Sequence, residues 1–240
     1  MTDRFAVYYR NALKNAAAIE AAPLEEGVDP ADLYHPFLSR RVYFTAAEAV
    51  ITASWGAGNF IDSVCLAACV FTQARITVKE QGETLFSGWM YPQGKNSAFT
   101  LPSIMPCDEL TVEIFAGAPV SVGWMFAGLR TLFPRFQIAP KTGLEVTGSA
   151  ERTEGGQVYG LKRPTLETLD VSFARIDRDT RRAMAEYIDA VQFVEPHLIE
   201  AYNAEVWPLL YGVLTGAGDF SKRDGPGFYF DTTMAWKEAG

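Results

Sequence analysis

The stretch Ala74-Arg75-Ile76-Thr77-Val78-Lys79 decides the fold. Ala74, Ile76 and Val78 alternate with Arg75, Thr77 and Lys79, which is the two-residue period of a strand with one buried and one wetted face. The period recurs where Leu110, Val112 and Ile114 alternate with Thr111 and Glu113, and again at Val120, Val122, Trp124 and Phe126. Upstream, Val50-Ile51-Thr52-Ala53-Ser54-Trp55 is a β-branched run that Gly56-Ala57-Gly58-Asn59 is expected to stop, and Ile61 to Phe71 is a buried apolar run. Turns are expected at Gln81-Gly82, at Gln93 to Ser97, at Met105-Pro106-Cys107-Asp108 and at Ala116-Gly117-Ala118-Pro119. Short strands with turn signals every 8–12 residues indicate a β-sandwich or barrel from Tyr43 to Phe126.

The flanks are less regular. Ala-rich Asn11 to Ala22 fits a helix by propensity, or a short strand over Ala16–Ala22, and periodicity does not decide between them. Pro23 to Tyr34 carries Glu25, Glu26, Asp29 and Asp32 with no base and reads as a solvated loop. A further unit begins near Phe133-Pro134-Arg135-Phe136, with strands expected at Gln157 to Gly160 and Thr168 to Ile176. In the latter, Leu169, Val171 and Phe173 share a face. A helix follows over about 178–193, capped by Asp177 or Asp179. Its apolar stripe is Met184, Tyr187, Ile188 and Val191. Pro196 and Pro208 keep it from running on. Leu198 to Tyr202, Leu209 to Thr215 and Phe228 to Trp236 complete the chain, with a polar loop at Gly216 to Gly227.

The chain has 240 residues, 48% of them hydrophobic, which suffices for one large core or two small ones. With 21 Lys+Arg against 29 Asp+Glu the net charge is −8, a balance that argues against a nucleic-acid or anionic-lipid partner. The three cysteines, Cys65, Cys69 and Cys107, are too few and too irregular for a disulfide framework. The first two sit in the apolar run, where a free cysteine acts as a small buried hydrophobe. Met1 to Phe5 lacks a secretory pattern, and the longest apolar stretch, Val64 to Phe71, is far below the ~20 residues of a membrane span. A soluble, acidic protein made in a reducing cytoplasm is the expectation.

Chemistry-bearing constellations are sparse. His35 and His197 stand in no metal-ligand spacing, so no metal is expected. There is no G-x-S-x-G and no Walker loop. Gly56-Ala57-Gly58 opens like a dinucleotide fingerprint, but Ile61 takes the place of its third glycine, and no cofactor is expected. Glu109 and Glu113 fall on the polar side of their strand and are expected to face solvent. An enzyme would require His35 or His197 beside a carboxylate in a pocket, and none is expected. Of Trp55, Trp89 and Trp124, the last is in phase with the core. Trp89-Met90-Tyr91, between Gly88 and Pro92, is the exposed pair of aromatics, which makes Trp89 and Tyr91 candidate glycan contacts.

In order, these segments resemble β-sandwich proteins from the tails of tailed bacteriophages. The resemblance is carried by Ala17-Ala18-Ile19-Glu20-Ala21, Asp32-Leu33-Tyr34, Arg41-Val42-Tyr43-Phe44 and Ile61-Asp62-Ser63-Val64-Cys65-Leu66. That is the pattern of galactose-binding-like jelly rolls, and it favours strand for Ala16–Ala22. Arg152 to Gly160, Thr168 to Ile176, the helix, Pro208 to Gly212 and Thr232 to Glu238 are similar to distal-tail and baseplate proteins. The resemblance implies a mainly β fold, with a galactose-binding-like sandwich over 1–130 and a split-barrel-like domain with one helix over 131–240. It also implies a non-enzymatic virion protein made in the bacterial cytoplasm, assembling as a ring with copies of itself and other tail proteins. Lys222, Arg223, Phe228 and Tyr229 are the candidate assembly contacts. A host-attachment sandwich that binds carbohydrate is the alternative; the loop-tip sugar ligands of discoidin-type sandwiches are not recognisable here.

Overall fold

The computed structural model describes residues 4–134, 136, 140–146, 149–152, 158–161, 164–202, 209–222 and 229–239. Its strands are β1 (Arg4–Tyr8), β2 (Ala18–Ala22), β3 (Val42–Tyr43), β4 (Glu48–Ala67), β5 (Gln73–Glu80), β6 (Glu83–Met90), β7 (Asn96–Phe115), β8 (Ser121–Val122) and β9 (Trp124–Gly128). They continue with β10 (Thr131–Phe133), β11 (Lys141–Val146), β12 (Ser149–Arg152), β13 (Val158–Leu161), β14 (Thr165–Ile176), β15 (His197–Tyr202), β16 (Leu209–Ala217), β17 (Ser221–Lys222) and β18 (Phe230–Glu238). The α-helix among the described residues is α1 (Arg178–Val191). The fold is mainly β, as the alternating runs require.

The chain divides into two units, residues 7–131 and residues 1–6 with 132–240. An expected division at 130 assigned the first six residues to the sandwich. Of these, Arg4 to Ala6 group with the C-terminal unit, whose sheet β1 joins and where Phe5 packs. The Phe5 ring lies 5.1 Å from Trp236 and 5.2 Å, edge-on, from Phe173.

In the sandwich unit the main sheet runs β2-β4-β7-β5-β6, and β9 also pairs β4. β4 and β7 are each 20 residues long. They pair in two main stretches, Glu48–Ser54 with Glu109–Phe115 and Ser63–Ala67 with Asn96–Thr100. Register shifts separate the stretches, between Ser54 and Asn59 and between Ile61 and Ser63. Two expected turns are thereby corrected. Gly56 to Asn59 does not stop its strand, and Met105 to Asp108 does not end one; both are irregular passages inside a continuing ribbon, the extra residues being absorbed as bulges that bend it. The inward residues Ile51, Val64, Ile76, Val78, Leu110 and Val112 are fully buried in one core with Leu33 and Phe44. Residues 11–22 resolve into a short 3-10 turn, Ala12–Asn15, followed by β2. Within the acidic loop, Pro30–Tyr34 forms a second 3-10 turn that buries Leu33.

In the helix-bearing unit an eight-stranded sheet runs β10-β1-β15-β16-β18-β14-β11, with β17 on β18. Leu169, Val171 and Phe173 are buried, as their alternation requires. Asp177 is the residue that caps α1, accepting the Thr180 N–H at 2.7 Å. Met184, Tyr187 and Val191 are the buried part of the helix stripe.

Candidate functional site

The outward face of the sandwich sheet holds the candidate site, and the turn between β5 and β6 sets its geometry. Gln81 and Gly82 both have positive φ, 51° and 81°, the requirement of a tight hairpin turn whose twist suits the flanking strands. A register shift between Val78 and Lys79 precedes the turn, and beyond it Arg75 stands opposite Trp89 and Thr77 opposite Ser87. β7 lies on the other side of β5 and places Glu113 opposite Arg75, Thr111 opposite Thr77 and Glu109 opposite Lys79.

Trp89 is 42% exposed, while Trp55, Trp124 and Trp236 are buried. Its ring centroid is 5.9 Å from that of Phe115, at 48°, and the Arg75 guanidinium carbon lies 5.9 Å from it. Arg75 donates through Nε and a terminal nitrogen to the two oxygens of Glu113, a two-pronged pair. Hydrogen bonds from Arg75 hold the Glu113 carboxyl below the usual carboxylate range. Beside this pair, Lys79 Nζ donates to Glu109 at 2.6 Å. Glu109 and Glu113 therefore face outward, each held by a base. Tyr91, two residues beyond Trp89, is 62% exposed. The result is an aromatic surface rimmed by fixed hydrogen-bonding groups, the combination that recognises a ligand with both C–H faces and hydroxyls. Neither Phe115 nor Arg75 was singled out from sequence: each reaches Trp89 through strand register, which no local pattern shows.

Other candidates fall elsewhere. Lys222 is exposed on β17, opposite Phe230, and Tyr229 is 45% exposed. Arg223 and Phe228 lie outside the described residues. His35 accepts the Phe37 N–H through Nδ1. His197 is fully buried, and both ring nitrogens are engaged, Nε2 with Tyr187 Oη at 2.6 Å and Nδ1 with the Glu195 carbonyl at 2.9 Å. That leaves it no nitrogen for a substrate. Among the described residues, no group of three His, Cys, Asp or Glu is arranged to hold a metal ion. Nor is any helix long and apolar enough to cross a membrane. The three cysteines are buried and unbridged, and burial pushes the Cys69 and Cys107 thiols up to about 12.

Sheet, core and face together define a mainly β protein built on a β-sandwich. No protein-family model matches the chain, and no curated protein matches it. Among solved structures it is similar to chitosan-binding module 1 of a chitosanase/glucanase from Paenibacillus sp. IK-5, at 14% identity, covering 49% of this chain and 98% of that one with a TM-score of 0.41. Module 2 of that enzyme, solved with chitotriose, is similar at 14% identity over 48% of this chain and 96% of its own, with a TM-score of 0.39. A pectin-binding carbohydrate-binding module is similar at 11% identity over 47% and 89%, with a TM-score of 0.39. Each likeness covers about half of this chain.

Proposed function

We propose that this protein binds carbohydrate through the outward face of its sandwich sheet, in the role of host or cell-surface attachment. The observation that carries the reading is the exposed Trp89 ring set between Phe115 and the Arg75–Glu113 pair. A sugar ring stacks its C–H face on such an indole, and its hydroxyls meet charge-assisted partners already held in place. Tyr91 extends the aromatic surface. Glycan-array screening of the wild type against Trp89→Ala tests it. The expected result is one or more bound glycans whose signal falls at least tenfold in the variant. No bound glycan, or equal binding by the variant, overturns the reading.

A second reading is a structural subunit of a phage or phage-like tail tip, assembling as a ring with copies of itself and with other tail proteins. One observation favours it. β11 is the terminal strand of the eight-stranded sheet and exposes Leu144 at 73% and Val146 at 74%. An open apolar edge invites a neighbouring subunit. Lys222 and Tyr229, both exposed, remain contact candidates under this reading. Light scattering is expected to give a multimeric mass that a Leu144→Lys, Val146→Lys double variant reduces to the monomer. A strictly monomeric wild type at high concentration contradicts it.

A further inference from the structure

Among the described strands, β11 ends the eight-stranded sheet and pairs with β14 alone. All 6 of its residues, Lys141 to Val146, are exposed. Its other edge offers backbone N–H and C=O groups in the direction in which a further strand would pair. Directly opposite residues of an antiparallel pair share a face, so the register with β14 sorts the side chains. Lys141, Gly143 and Glu145 stand opposite Asp170, Thr168 and Leu166, on the outward face. Thr142, Leu144 and Val146 stand on the other face, the one that buries Leu169. Edge strands are commonly guarded by charge. Here the guards, Lys141 and Glu145, have opposite signs and lie two positions apart along one face. Lys237 Nζ donates to Glu145 at 2.8 Å, while Lys141 has no ion-pair partner among the described residues.

That placement discriminates among registers. When two copies of one strand pair antiparallel about a two-fold axis, a single residue faces its own counterpart at the axis. Residues equally far on either side of it then face each other. Centred on Lys141 or on Glu145, the pairing sets like charges face to face, which is destabilising. Centred on Thr142 or Leu144, it brings no Lys141 against a Glu145. Centred on Gly143, it sets Lys141 of each copy against Glu145 of the other, twice over. Gly143 then sits at the axis with no side chain to hold the strands apart. On the opposite face Leu144 meets Thr142 of the second copy and lies within diagonal reach of its Leu144. The strand is thus complementary to itself in charge and in apolar contact. We propose that β11 is the pairing edge for a second copy of this chain, antiparallel and centred on Gly143, joining two eight-stranded sheets into one. So short a strand makes a small interface, and the dimer is expected to be reversible and concentration-dependent. The proposal rests on the open edge that the second reading uses and is independent of carbohydrate binding. It adds the partner, the register and a contact that two copies complete.

Sedimentation equilibrium of the full chain over a range of concentrations tests the inference. The wild type is expected to move reversibly between one copy and two. Lys141→Glu leaves two carboxylates on each edge, and Glu145→Lys leaves two ammonium groups. Both positions are exposed, and the surface contact of Glu145 with Lys237 is lost at little cost. Each variant alone is expected to bind itself at least about fivefold more weakly than the wild type does. An equimolar mixture of the two variants restores both opposite-charge contacts and is expected to dimerise to within about twofold of the wild type. A mixture that associates no better than its components overturns the antiparallel register. Association indifferent to both substitutions overturns β11 as the contact and leaves assembly through another surface standing. A strictly monomeric wild type overturns this inference and the second reading together, and leaves the carbohydrate reading untouched.

Discussion

His197 shows how a single buried side chain makes stability depend on pH. The Glu195 carbonyl can only accept, so His197 Nδ1 carries the proton and Nε2 accepts from Tyr187. Tyr187 Oη in turn accepts the Trp236 indole N–H at 2.8 Å. Burial, against a smaller opposing pull from Glu195, lowers the ring's pKa to about 4. The unfolded chain protonates the same ring near pH 6.5, so between these values it binds more protons than the folded chain. Stability is therefore complete above about pH 6.5 and falls as pH drops towards 4, by on the order of 3 kcal/mol. Hydrogen exchange of α1 and β15 at pH 7 and pH 4.5 checks this, with His197→Gln expected to flatten the dependence. Tyr187→Phe strands both the indole N–H and the imidazole nitrogen and is expected to cost about 1–3 kcal/mol at pH 7. At this same scale Trp89 was legible as exposed because Gly88 and Pro92 flank it. Its partners Phe115 and Arg75 were not, since β7 and β5 are brought alongside by folding.

Elements were legible wherever the two-residue period was strict. The period over Ala74–Lys79 becomes β5, and the stripe Met184, Tyr187, Val191 becomes the buried side of α1. Reading failed where Gly and Pro stand inside long strands. Gly56 and Pro106 look like turn residues, yet both lie in the 20-residue ribbon of β4 and β7, where a bulge uses the same backbone freedom as a turn. Elsewhere glycine permits a close approach. A Cβ added at Gly212, on β16, would stand 2.9 Å from the carbonyl carbon of Lys237 on β18. Gly212→Ala is expected to push these paired strands apart and destabilise the helix-bearing unit by about 1–3 kcal/mol, read by urea denaturation. Gly56→Ala, with open space around its Cβ, is expected to cost less.

At the scale of the whole molecule, the two units differ in what they expose. The sandwich unit carries the exposed Trp89, and β11 ends the sheet of the helix-bearing unit. The net charge of −8 disfavours nucleic acid. One spectrum tests the proposed binding of carbohydrate at Trp89. The indole N–H resonances of the tryptophans are followed by NMR while a glycan bound on the array is added to saturation. A saturable shift of the Trp89 signal is expected, with the buried Trp124 and Trp236 signals unmoved. A Trp89 resonance that stays in place while the glycan binds would contradict it.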